Sequence, residues 1–158
     1  MSDSEVRRTL YAYCRLLDER DLDAVISRVY LLDAVDDRKR GTPLTGHQQI
    51  RRYFERAFET VAATAHLLSN VEVSVDGDRA TAYSRVTAYH WTYGGDPARP
   101  ADFVLLGSYD DELVRTAEGW RISRRVVGAL GPTGLAAGAL PEIFAGFGGT
   151  DSSSATQR

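Results

Sequence analysis

The apolar residues of this 158-residue chain change their period once. Up to about Ala62 they recur every three or four residues, and from Val71 onward they alternate. The first spacing lays an apolar stripe along a helix; the second lays an apolar face on a strand. Helices first and strands afterwards describe an α+β domain, a curved antiparallel sheet with helices on one face.

Ser2 and Glu5 have capping-box spacing ahead of Val6, Leu10, Tyr13 or Cys14, and Leu17, which predicts a first helix ending near Asp18 to Arg20. Asp21 is placed to cap a short second helix over "DLDAVISRVYLL". The charged "DDRKRGTPLTG" reads as a loop, and a third helix runs from His47 to about Ala62 on Ile50, Phe54, Ala57, Phe58 and Val61. Val71, Val73 and Val75 mark a strand that stops at the tight-turn signal Asp76-Gly77-Asp78. A second strand runs Arg79 to Tyr93, "GGDPARP" is a loop, and Phe103 to Val114 and Gly119 to Val127 complete the meander. "LPEIFAGF" is expected to make one helical turn packed on the body, and the apolar "GLAAGALPEIFAGF" that contains it to cap the pocket mouth. The ordered domain is expected over residues 1–147, with a disordered tail over 148–158.

A formal charge of −3 gives no basic footprint, so no nucleic-acid partner is expected. No apolar run approaches the length of a membrane span and the N-terminus is polar, so the expected location is the cytoplasm. The single cysteine, Cys14, excludes an internal disulfide and a cysteine-rich zinc site, and its place on an apolar helix face makes it a packed thiol.

The second strand has two unlike faces. Ala80, Ala82, Ser84, Val86, Ala88 and His90 form a face of small side chains, which leaves room between sheet and helices. Tyr83, Tyr89 and Trp91 lie on the other face, a patch that suggests contact with a second copy of the chain, as a homodimer or homotrimer. His90 therefore points into a cavity. Strict alternation backward from Val71 puts His66 on the opposite face from the valines, whereas a bulge near Ser69-Asn70 would turn it inward. Asp18, just beyond the apolar stripe of the first helix, is the acid that could meet it.

"YAYCRLLDERDLDAV", "GHQQIRRYF", "TAHLLSNVEVSVDGDRATA" and "GSYDDELVRTAEGWRI" resemble, in that order, the SnoaL-like proteins of the nuclear transport factor 2 and scytalone dehydratase superfamily. The resemblance covers about Ser4 to Val127. It implies a cone: a cystatin-like α+β barrel in which a bent antiparallel sheet and three N-terminal helices enclose a pocket. In the dehydratase branches an aspartate ending the first helix pairs with a histidine opening the first long strand, and a second histidine follows on the next. Asp18, His66 and His90 fall on those positions, and Tyr13 matches a tyrosine five residues before the aspartate. Where scytalone enzymes have a tyrosine before the aspartate this chain has Leu17, and another of their tyrosines falls near Asp37.

The implied activity is cofactor-independent acid–base chemistry, a dehydratase, isomerase or cyclase acting on a hydrophobic small molecule such as a polyketide- or terpenoid-like intermediate. His66 would be the general acid/base, Asp18 its orienting partner, and His90 and Tyr13 the groups that polarise the substrate. Leu17, Tyr53, Phe54, Asn70, Val86, Ala88 and Ser108 are the expected substrate-binding residues. No metal and no organic cofactor is called for. His47, at a helix start, is expected at the surface. The competing readings are a ligand-binding or protein-interaction module, since fold alone does not make an enzyme, and a hydrolase using the same dyad.

Overall fold

The computed structural model describes residues 2–93 and 100–133. Most of the "GGDPARP" loop, the "GLAAGALPEIFAGF" segment expected to cap the pocket mouth, and the 148–158 tail lie outside the described residues.

Helix α1 (Ser2–Asp18) buries Val6, Leu10, Tyr13, Cys14 and Leu17, the stripe read from the sequence. Asp21 caps the next turn, accepting from Ala24 N at 3.0 Å. The second helix is shorter than its apolar pattern suggested: α2 (Leu22–Ala24) passes directly into a π-helical turn, Val25–Val29. Both pieces press their apolar face on the core, and the chain then extends. Helix α3 (Gly46–Thr60) buries Ile50, Phe54 and Ala57.

Six strands form one sheet in the order β2-β1-β6-β5-β4-β3. The long meander is β3 (Val61–Asp76), β4 (Arg79–Thr92), β5 (Phe103–Thr116) and β6 (Gly119–Thr133), all antiparallel. The sheet extends beyond that meander. β1 (Tyr30–Asp37) covers residues assigned to the second helix and the charged loop, and pairs parallel with β6. β2 (Leu44–Thr45) adds a short antiparallel edge. β1 ends in carboxylates that are buried rather than solvated. Asp36 accepts from the Tyr30 hydroxyl at 2.9 Å and from Arg38 at 3.0 Å, and Asp37 from Lys39 at 3.0 Å.

The inner face of β4 carries the small side chains that the alternation indicated: Ala80, Ala82, Ser84, Val86, Ala88 and His90 are all buried. β3 resolves the phase of His66 through a bulge. Ser69 pairs with Arg85 and Glu72 with Tyr83, so Asn70 and Val71 together oppose the single residue Ser84. Asn70 sits at φ 50°, the left-handed region that asparagine tolerates better than most residues. The extra residue moves His66 into register with Ala88, and so onto the inner face. The sheet bends around α1 and α3 to give the expected cone, open on one side to a slot.

Candidate active site

The slot is walled by Tyr13 and Leu17 of α1, by Tyr53, Phe54, Ala57 and Phe58 of α3, and by the inner faces of β3, β4, β5 and β6. It leaves ≈ 80 Å³ to the centres of water-sized molecules, space for a slim or flat body. Gly107 and Gly128 present bare backbone to it. A Cβ on Gly107 would stand 2.3 Å from Gly128 O, so this wall closes only with glycine there.

Asp18 and His66 meet at one edge of the slot. The carboxylate ends α1, and Arg20 fixes that helix end over the α3–β3 junction by donating to Val61 O. Asp18 Oδ1 stands 2.6 Å from His66 Nδ1 and accepts from the Thr64 hydroxyl at 2.8 Å, while Oδ2 accepts from His66 N at 2.9 Å. Burial alone would push the Asp18 carboxyl up, but the donors from His66 and Thr64 outweigh it and hold it below the ordinary carboxylate range. An ionised carboxylate only accepts, so His66 Nδ1 carries the proton and Nε2 is left as the basic nitrogen. The imidazole is almost enclosed, at 11% side-chain exposure against 26% for Asp18.

His90 stands beside it, the two ring centroids 6.1 Å apart. Its Nδ1 is 2.9 Å from Ala88 O and its ring stacks on Phe103 at 4.5 Å. Burial, reinforced by His66, lowers its pKa to about 3, so it is neutral at ordinary pH. The unfolded chain titrates this histidine near 6.5, so between about pH 6.5 and pH 3 the unfolded state binds more protons. Stability should therefore fall as the pH drops through that window. Chemical denaturation at a series of pH values is expected to show a loss of up to a few kcal/mol, and His90→Gln to make it shallower, most clearly above about pH 5 where the carboxylates stay ionised; equal slopes in both proteins there would refute the neutral assignment.

The expected residues divide clearly. Tyr13, Leu17, Tyr53, Phe54, Val86 and Ala88 line the slot together with His66 and His90. Asn70 does not: it is exposed on the bulge and shapes the site only by setting the register of β3. Ser108 does not either, since it pairs with Arg85 and so belongs to the outer face, while Gly107 and Tyr109 face inward. His47 is half-buried, with Nε2 3.1 Å from Tyr30 O. Cys14 is a packed thiol, its pKa pushed up to about 12 by burial.

Three residues that the sequence did not single out complete the site. Thr64 shares the Asp18 carboxylate, and its place two residues before His66 on one strand face was the available signal. Arg38 reaches the slot from just beyond β1, its guanidinium 4.1 Å from the centre of the Tyr53 ring. Arg125, fully buried, lies between the rings of Tyr13 and Tyr109, 4.0 Å from each centre, and bonds Asp111 with two N–H groups at 2.7 and 2.8 Å. Charged residues inside "DDRKR" and "RISRRVV" carried no mark of burial in the sequence.

A model of the SnoaL-like domain matches residues 2–126. The chain belongs to the SnoaL-like family. An uncharacterized protein from Mycobacterium tuberculosis is 36% identical over 124 residues, 77% of this chain and 81% of its own. A putative aromatic ring hydroxylase from Novosphingobium aromaticivorans superposes with a TM-score of 0.71 at 29% identity, covering 82% of this chain and 89% of that one. A putative scytalone dehydratase from the same species gives 0.74 at 22% identity, with coverage of 84% and 87%. A hexachlorocyclohexane dehydrochlorinase from Novosphingobium barchaimii gives 0.72 at 15%, with coverage of 85% and 90%. At these last two identities the likeness is one of fold, and the SnoaL-like cone is therefore shared with lyases. No helix among the described residues is long and apolar enough to cross a membrane.

Proposed function

We propose that the protein is a cofactor-independent acid–base enzyme that removes a carbon-bound proton from a hydrophobic small molecule, in a dehydration, isomerisation or cyclisation of a polyketide- or terpenoid-like compound. The observation that carries this reading is the Asp18–His66 pair at the edge of an apolar slot, with the basic nitrogen of His66 left for substrate. In a dehydration, His66 Nε2 takes the proton α to a carbonyl. The C–H electron pair becomes the new double bond and expels the β-hydroxyl, which leaves as water with the proton that His66 returns. Positioned transfer of this kind contributes typically ~10²–10⁴-fold.

The neighbouring groups suit different oxygens. Burial pushes the Tyr13 phenol up, so it stays protonated and serves as a donor to an oxygen gaining charge. Neutral His90 donates from Nδ1 to Ala88 O and stands beside His66 in the wall of the slot, where it would meet the polar part of a substrate. The lyase names of two fold neighbours agree with this class of chemistry, and at 22% and 15% identity their substrates do not carry over to this chain.

The test needs no natural substrate. Nitrobenzisoxazole loses a carbon-bound proton to any positioned base and colours as its ring opens. The protein is expected to accelerate this opening above the rate with an equal concentration of free imidazole. A rate no faster than free imidazole, with the probe shown to bind, would rule the acid–base reading out in favour of a binding module.

The outer sheet face supports self-association. Leu67 and Tyr89 are 55% and 37% exposed, and Tyr89 stacks with Trp91. Sedimentation velocity is expected to show a dimer or trimer that Leu67→Glu with Tyr89→Glu dissociates. A wild-type monomer at high micromolar concentration contradicts it.

A further inference from the structure

We infer that the arginine-lined recess beside the slot receives an anionic group, carboxylate or phosphate, of a ligand whose apolar body lies in the slot. This rests on the slot being the substrate site and names the class of molecule it takes: amphiphilic anions rather than plain hydrocarbons or neutral ketones.

The recess offers ≈ 440 Å³ to water-sized molecules, on the same measure as the slot, and Arg38, Arg40, Arg52 and Arg56 all line it. Arg38 and Tyr53 line both cavities, so the two are neighbours across one pair of side chains. Asp36 is the one carboxylate among the recess residues; its Oδ2 accepts from Tyr30 and Arg38, while its buried Oδ1 makes no hydrogen bond, so the arginines outnumber one half-engaged carboxylate. A surplus of arginine here is not background, because the chain as a whole carries a net charge of −3.

Arg38 sits where the two cavities meet. Its guanidinium lies against the rings of Tyr53 and Phe54, at 4.1 and 4.9 Å from their centres, which fixes its plane. Its Nε is buried and makes no hydrogen bond. A buried donor without a partner is costly, and an anionic oxygen arriving from the recess would supply one. Arg52 and Arg56 stand one turn apart on the exposed side of α3, where like charges repel. An anion between them would remove that repulsion and place the attached apolar body toward His66.

Isothermal titration with naphthoate, naphthyl phosphate and the neutral naphthylmethanol tests this. At least one anion is expected to bind about tenfold or more tightly than the alcohol, and the tighter of the two identifies the group. Arg52→Gln with Arg56→Gln should bring that anion down to the level of the alcohol, and raised salt should weaken it in the wild type. Wild-type affinities equal for alcohol and both anions, or a preference that survives in the double variant, would overturn the inference. The two readings fail separately: His66→Ala should keep the anion preference. An anion preference in a wild-type protein that does not open nitrobenzisoxazole keeps the recess and removes the acid–base role, while wild-type activity without the preference does the reverse.

Discussion

Asp18→Asn is expected to lower nitrobenzisoxazole opening by ~10²–10⁴-fold while the protein stays folded. The carboxylate gives the imidazole its orientation and its tautomer. It accepts from His66 Nδ1 and from the His66 backbone, with Thr64 holding the same oxygen that His66 uses. An asparagine of the same shape can turn its amide N–H₂ toward Nδ1, which then becomes an acceptor and moves the proton to Nε2, the nitrogen that has to be basic. The corresponding change in a Ser-His-Asp triad costs about 10⁴-fold by inverting the tautomer. His66→Ala should lose at least as much. Because the two residues act as a unit, the double variant should be no slower than His66→Ala alone. Circular dichroism and thermal melting check the fold, and Thr64→Val, which removes one of three donors, should lose far less. Additive losses, or an Asp18→Asn enzyme as fast as wild type, would show that the pair is structural.

That pair was half legible in the sequence. The helical stripe of α1 ends at Leu17, immediately before Asp18, and the period-two run of β4 put His90 on a small-residue face, both of which follow from the geometry of regular elements. His66 was undetermined because its direction depends on one left-handed residue. Asn70 at φ 50° inserts the extra position that flips every residue before it, and an asparagine in a sequence signals that conformation only weakly. Asn70 therefore acts on register rather than on a ligand.

β1 was missed for a different reason. "YLLDAVDD" runs from buried Tyr30 to buried Asp36 and Asp37, and period-based reading takes adjacent aspartates before "RKR" for a solvated loop. Their partners Tyr30, Arg38 and Lys39 are close by in sequence, but nothing in the spacing shows that the network is enclosed. β5 misled in the same way. Its inner set includes Asp111 beside outward Asp110, so polar residues occur on both faces of "GSYDDEL" and Ser108 could be assigned to either. Hydrophobic periodicity locates a core made of apolar residues; it is silent where the core is built from paired charges.

Asp111→Ala is expected to be severely destabilising, at about 3–5 kcal/mol. Asp111 and Arg125 face each other across β5 and β6 with both side chains at 0% exposure. Removing the carboxylate leaves a guanidinium in the core with two more unpaired N–H groups, and Arg125 Nη1 already has no hydrogen-bond partner. The rings of Tyr13 and Tyr109 on either side attract the cation but cannot accept its in-plane N–H groups. Since both tyrosines line the slot, the damage would reach the site as well as the fold. A shift in Tm on the order of 10 °C is expected for a protein of this size. Asp111→Leu combined with Arg125→Met should recover much of it, because the cost lies in the uncompensated charge and not in the lost bond. The same double change would remove the cation beneath Tyr13, so its turnover of nitrobenzisoxazole reports what Arg125 contributes to the slot once stability is restored. An Asp111→Ala protein that melts with wild type would mean that the guanidinium finds water, and that the floor of the slot is wetter than its burial implies.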